Sequence, residues 1–188
     1  MNVVLIGYRG AGKSTVGGRL AVRMGKCFVD TDELVEKRQG LAICDIVQTK
    51  GWAFFRAAEK KIIEEVSGRD DLIIAPGGGS VLDAENVRFL RENGLIIWLK
   101  ADRHILFKRM EQDPRSHLSR PTLTGQGALE ELGEVMASRT PFYEGAADAE
   151  LDTSALDVEE AVEAVRSIIW EKMGGSHWAG IHSEHFSG

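Results

Sequence analysis

Gly7-Tyr8-Arg9-Gly10-Ala11-Gly12-Lys13-Ser14 fills GxxxxGK[ST] at every fixed position. What flanks it matters as much as the pattern. Before it, residues 2–6 form an apolar run of strand length; after it, Val16, Leu20 and Met24 recur at helical spacing across 13–24. A strand that turns through glycines into a helix aims backbone N–H groups at a phosphate. The helix N-terminus adds partial positive charge at the same point. Gly10, Ala11, Gly12, Lys13, Ser14 and Thr15 are therefore expected to wrap the phosphates of ATP. Lys13 would reach the β and γ groups, and the Ser14 hydroxyl suits Mg2+. The glycine spacing differs from GxGxxG, so no dinucleotide site is implied.

On either side the same alternation continues. Apolar runs at 26–29, 72–75, 95–99 and 149–151 join 2–6 as expected strands. They are nearly continuous in hydrophobicity, as in strands covered on both faces. Segments with helical periodicity lie between them, at 52–66, 83–92, 103–110, 127–143 and 157–172. This order predicts a three-layer α/β fold, a parallel sheet with helices on both faces. Two stretches fit it poorly. Residues 32–51 read as two short helices, 33–39 and 42–50, more than a crossover needs. Residues 111–126 are polar, hold Pro114, Pro121 and Gly125, and carry Arg115 and Arg120. Such a loop reads as either a functional lid or disorder, and a lid is expected here. One domain is expected over 1–173, with an insertion at 33–60 and the lid at 111–126. The polar tail, 174–188, reads as a frayed terminus despite its three histidines.

The bulk properties of the 188 residues agree with one folded domain, at 43% hydrophobic and 28% charged. A formal net charge of −6 argues against general attraction to nucleic acid or an anionic membrane. An anionic ligand would then depend on a local cluster of arginines. Cys27 and Cys44 have neither metal-ligand nor redox spacing and are expected to be reduced, semi-buried thiols. The apolar run at 2–6 is too short for a signal peptide. No stretch approaches the roughly 18 apolar residues of a membrane helix. A cytoplasmic protein is expected, and with no apolar stripe left over, a monomer.

Three further features bear on chemistry. Asp30-Thr31-Asp32 follows the second strand at its C-terminal end, where ligands bind in such sheets. Residues two apart in an extended chain point the same way, so both carboxylates can face a site. Either can instead cap the following helix. Gly77-Gly78-Gly79 is costly in backbone entropy, and three glycines exceed what a turn requires. Close approach of backbone to a ligand would account for them. Arg56 has Glu59 and Lys60 at helical spacing, and Arg139 falls near an expected helix end. Singly, each arginine has a structural reading. Together with the carboxylates and glycines they supply a clamp for a small polar acid and a hydroxyl acceptor.

In this order and spacing, GYRGAGKSTVG at 7–17, DTD at 30–32, FRAAE at 55–59, GGG at 77–79, RPTL at 120–123 and SRTPFYE at 138–144 resemble the shikimate kinases. The resemblance covers about 1–170. It implies a five-stranded parallel sheet in the order 2-3-1-4-5 and a P-loop kinase that passes the γ-phosphoryl group of ATP to the 3-hydroxyl of shikimate. By matching position, Asp32 would hold the hydroxyls and take the proton of the attacking one. Asp30 would sit near Mg2+ through water, beside Ser14. Arg56, Arg139 and the backbone of Gly77, Gly78 and Gly79 would grip the acceptor. Arg120 would reach the γ-phosphate from the lid, Arg109 would lie over adenine, and Thr153 and Ser154 would flank its other face. Pro76 and Val47 depart from the family's pattern, the first before the glycines and the second where an aromatic often lines the pocket. Rival readings are a gluconate or nucleotide kinase of the same architecture, or a slow ATP-hydrolysing switch. Residues 33–50 show no evident aromatic for stacking a base. A switch would leave the carboxylates, glycines and arginines without a shared purpose.

Overall fold

The computed structural model describes residues 1–113 and 128–174. Val3, Val4, Leu5 and Ile6 of β1 (Asn2–Ile6) are all buried, because successive side chains enter two different cores. Val3 and Leu5 meet Val16 and Leu20 of α1 (Lys13–Met24). The same core takes Leu106 and Met110 of α5 (Arg103–Gln112) and Val162, Val165 and Ile169 of α7 (Val158–Lys172). Val4 and Ile6 meet Ile62, Ile63 and Val66 of α3 (Ile43–Ser67) and Leu90 of α4 (Ala84–Glu92). Val35 of α2 (Thr31–Gln39) joins that second core. Each such aliphatic side chain contributes about 1.5–3 kcal/mol when fully buried.

The sheet has five strands in the order β2-β3-β1-β4-β5, every adjacent pair parallel, as expected. They are β2 (Cys27–Asp30), β3 (Leu72–Ala75), β4 (Gly94–Lys100) and β5 (Ala149–Asp152) around β1. Val3 pairs with Ile73 on one side and Leu95 on the other. Strand order therefore reverses at β1, which opens a crevice beyond its C-terminal end. The phosphate loop, the turn after β2 and the glycine triplet after β3 all lie at that edge.

Several expectations need correction. Strand β2 begins at Cys27, one residue later than read, and ends at Asp30. Cys27 is exposed rather than semi-buried, because it opens an edge strand; Cys44 is half-buried, and neither is in a disulfide. Thr31 already begins α2, so Asp30 and Asp32 do not alternate along an extended chain. The helices expected at 42–50 and 52–66 run together as α3, bent where Gly51 takes φ 83° and ψ 166°. That left-handed φ disfavours any residue with a Cβ. Arg139 lies within α6 (Ala128–Ala146), not at its end. Pro141 removes one helical hydrogen bond, yet burial of Tyr143 and Ala146 in the second core carries the helix onward. Because Leu132 packs in the first core, α6 passes from one face of the sheet to the other.

Among the described residues, no helix is long and apolar enough to cross a membrane. Exposed Leu82 and Phe142 line an apolar groove with Val87, between α4 and α6, that the sequence reading did not anticipate. Arg115, Arg120 and residues 114–126 of the expected lid lie outside the described residues, as does the tail from 175.

Candidate active site

Gly12 is the N-cap of α1 and offers no side chain to its first turn. Val16 N bonds the Gly12 carbonyl at 2.8 Å, which leaves the preceding amides of the turn for an outside acceptor. Lys13 Nζ reaches back across the loop and donates to the carbonyls of Gly7 (2.9 Å) and Tyr8 (3.1 Å). Ala11 is buried beneath the loop and Thr15 faces solvent. Ser14 Oγ donates to Asp30 Oδ2 at 2.6 Å. The other Asp30 oxygen caps α2, accepting from Asp32 N (3.0 Å) and Glu33 N (3.3 Å). Asp30 thus fills both roles left open by the sequence, helix cap and partner of the phosphate loop. A hydroxyl and a carboxylate oxygen side by side are hard donors of the kind Mg2+ takes alongside phosphate oxygens and water.

Asp32 turns the other way, towards the glycine triplet. A Cβ on Gly77 would stand 2.6 Å from Asp32 Oδ1 and 2.5 Å from Glu59 Oε1. A Cβ on Gly79 would overlap the Arg56 guanidinium, with Cζ at 3.0 Å. At Gly77 and Gly79 the side chains of Asp32, Glu59 and Arg56 occupy the space that a Cβ would need. Gly77 N donates to Thr31 Oγ1 at 3.2 Å, so that amide is committed within the protein. Tyr143 Oη donates to the Gly78 carbonyl at 2.5 Å and stacks on Trp98 at 5.6 Å.

Arg56 pairs with Glu59 at 2.5 Å, as its spacing predicts, but not on a solvated face. Glu59 has no exposed surface, and its Oε1 also accepts from Ser80 Oγ at 2.8 Å. The guanidinium is held in addition over the rings of Phe55 and Trp52, 5.1 and 5.5 Å from their centres. On the far wall, Arg139 of α6 lies 5.4 Å from the centre of the Tyr8 ring. Val47 is half-buried against the second core.

A third group forms beyond β4 and β5. Arg109 donates to Thr153 through Nη1 to Oγ1 (3.0 Å) and Nη2 to the carbonyl (2.8 Å). Thr153 N in turn bonds the Lys100 carbonyl, and Ser154 Oγ accepts from Asp102 N at 2.8 Å. The Ser154 hydroxyl and amide hold the Asp152 carboxyl below its ordinary range, fixing this loop. Arg9 Nε meets Met110 Sδ at 3.1 Å, which sets α5 beside the phosphate loop.

The structure therefore brings Lys13, Ser14, Asp30, Asp32, Arg56, the glycine triplet and Arg139 to one edge of the sheet, with Arg109, Thr153 and Ser154 alongside. Sequence reasoning gave no role to Ser80, Tyr8 or Tyr143, and read Glu59 only as an ion-pair partner of Arg56. Glu59 and Tyr143 stood inside quoted motifs. Tyr8 occupies a variable position of the loop pattern and carries no signal there.

The shikimate kinase family profile matches residues 9–170. Shikimate kinase of Syntrophus aciditrophicus (strain SB) is 40% identical over 172 residues, 87% of this chain and 88% of that protein. Shikimate kinase 2 of Pectobacterium atrosepticum is 40% identical over 152 residues, 81% and 87% of the two chains. Among solved structures, shikimate kinase from Acinetobacter baumannii in complex with shikimate superposes with a TM-score of 0.83 at 29% identity, over 91% of this chain and 93% of that one. Shikimate kinase from Aquifex aeolicus gives 0.75 at 30% identity, over 93% and 100%. A gluconokinase from Sinorhizobium meliloti, at 0.54 and 19%, shares the fold alone. The matched span, the identity to these relatives and the shared sheet order agree: the chain belongs to the shikimate kinase family.

Proposed function

We propose that this chain transfers the γ-phosphoryl group of ATP to the 3-hydroxyl of shikimate, giving shikimate 3-phosphate and ADP in chorismate and aromatic amino acid biosynthesis. Membership of the family makes it an ATP-dependent kinase. The observation that carries the acceptor half is the packing of Asp32, Glu59 and Arg56 against glycines too tight for any side chain.

On the donor side, Lys13, the Gly10–Ala11–Gly12 backbone and the first amides of α1, Ser14 and Thr15 included, take the phosphates. Ser14 and Asp30 would hold Mg2+, which supplies charge neutralisation across the phosphates. Arg109, Thr153 and Ser154 flank the adenine. Arg120, outside the described residues, is assigned to the γ-phosphate on sequence resemblance.

On the acceptor side, Arg56 and Arg139 bind the carboxylate. Gly78 and Gly79 offer backbone to the ring hydroxyls, and Gly77 serves by lacking a side chain. The Asp32 carboxylate takes the proton of the attacking hydroxyl while its oxygen bonds the γ-phosphorus and the bond to the ADP oxygen breaks. The same reading makes the protein a cytoplasmic monomer that meets neither nucleic acid nor membrane, in keeping with a net charge of −6.

Coupled ADP release tests the reading with shikimate, gluconate or no acceptor present. ADP is expected to form with shikimate alone. Equal release without acceptor, or release driven by gluconate, would contradict it.

A further inference from the structure

Tyr8 touches both halves of the site. Its carbonyl accepts from Lys13 Nζ at 3.1 Å and from Ala11 N at 3.2 Å, so its backbone is part of the phosphate loop. Its half-buried ring packs against the first core and faces the guanidinium of Arg139. Among the described residues no carboxylate pairs with Arg139, in contrast to Arg56, which Glu59 and two rings hold in place. Arg139 is also mounted on the stretch of α6 that leads into Pro141 and precedes Tyr143, whose hydroxyl binds Gly78. A Cβ on Gly78 would stand 3.3 Å from the Gly7 carbonyl, so triplet, loop and helix are in register across this point.

We propose that the ring of Tyr8 is a positioning residue for the acceptor, holding the Arg139 guanidinium where it can meet the carboxylate of the substrate. This deepens the functional reading above and rests on its assignment of Arg139. The physical argument is the ring quadrupole. A guanidinium spread over an aromatic face keeps all its N–H groups available to a carboxylate, whereas an ion pair occupies part of them. Without the ring, Arg139 has several rotatable bonds and no fixed plane, and the substrate would have to order it on binding. Because the contact exists before substrate arrives, its loss is felt in acceptor binding and not in the chemistry at the γ-phosphorus.

The test is steady-state kinetics of Tyr8→Leu, Tyr8→Phe, Arg139→Ala and the Tyr8→Leu/Arg139→Ala pair, with ATP titrated onto each variant in the absence of acceptor. Tyr8→Leu should raise the shikimate KM roughly 3- to 30-fold, the range of a cation–π contact of this kind. ATP affinity should stay within about twofold, since the backbone of residue 8 is kept. Tyr8→Phe retains the π face and should restore the KM to within about twofold. In the double variant the KM should match that of Arg139→Ala alone, because the ring acts through that arginine. A raised KM in Arg139→Ala with an unchanged one in Tyr8→Leu overturns the inference and leaves the site reading standing. Additive effects in the double variant, or a Tyr8→Leu defect confined to ATP binding, overturn it as well. An unchanged KM in Arg139→Ala overturns the site reading, and the inference with it.

Discussion

Glu59 shows how one buried carboxylate can organise the side chains around it. It is wholly buried and serves Arg56 through one oxygen and Ser80 through the other. A charge out of water needs such partners, or it would neutralise or leave. Removing it in Glu59→Ala should cost about 1–3 kcal/mol, the penalty of stranding polar partners, because Arg56 keeps 34% of its side chain in solvent and can rehydrate. The shikimate KM should rise at the same time, since Arg56 loses the group that aims it. Urea unfolding and acceptor kinetics check the pair; an unchanged midpoint with an unchanged KM would show that Glu59 only fills space. The sequence placed Glu59 at i+3 from Arg56 and so predicted the pair, but spacing along one helix says nothing of what covers it. Gly77 and Ser80, residues distant in sequence, lie against the Glu59 carboxylate. Tyr8 was illegible for a related reason: a loop motif fixes its glycines, lysine and hydroxyl, and leaves the rest open.

Helices and strands were more legible than the joins between them. β1, α1 and β3 were read with their observed bounds, because an apolar run or a heptad-like stripe ends at glycine or proline in each case. The errors fell where tertiary packing outvotes local signals. Gly51 interrupts the hydrogen-bonded turn only locally, so α3 continues through it. Pro141 would end an isolated helix, but the buried Tyr143 and Ala146 offset the lost bond. The triplet joining β3 to the short 3-10 helix Ser80–Leu82 carries a prediction of its own. In Gly77→Ala the new methyl meets side-chain ends, not backbone, so the fold should persist with a cooperative thermal transition. Asp32 must move, and if it takes the hydroxyl proton as proposed, a displacement of about 1 Å should cost about 10²-fold in kcat. A variant with full kcat would show that the glycines are not fitted to Asp32. Further on, Asp83 caps α4 and pairs with Lys60 of α3 at 2.8 Å. The Lys60 ammonium holds the Asp83 carboxyl below its ordinary range. A depressed carboxyl stabilises the fold above its unfolded pKa, and that contribution is lost as pH falls through the folded one. Asn also caps helices well, so the advantage of wild type over Asp83→Asn in urea midpoint should shrink on acidification. A difference that stays constant with pH would mean that the charge of Asp83 adds nothing.

Taken as a whole, the molecule divides its work at the point where strand order reverses. On the proposed reading, donor contacts come from the phosphate loop, α1, the end of β2, α5 and the turn after β5, acceptor contacts from α2, α3, α6 and the triplet after β3, and the two sets touch through Asp30 and Tyr8. The alternation of strands and helices made that architecture readable from sequence, and six short motifs made the family readable. What sequence could not supply was which side chains share a wall, since that depends on α6 crossing from one core to the other. The division implies that changes on the acceptor wall leave ATP binding intact. Steady-state kinetics of Asp32→Asn and Arg56→Ala, with ATP titrated onto each, decide the matter. Asp32→Asn should lower kcat about 10²- to 10⁴-fold, because an amide cannot take the hydroxyl proton. Arg56→Ala should act through the shikimate KM, raising it from about 30-fold to several thousand-fold, the 2–5 kcal/mol scale of a truncated charged contact. ATP affinity should be unchanged in both. An Arg56→Ala enzyme with its shikimate KM intact and its ATP binding weakened would contradict the account.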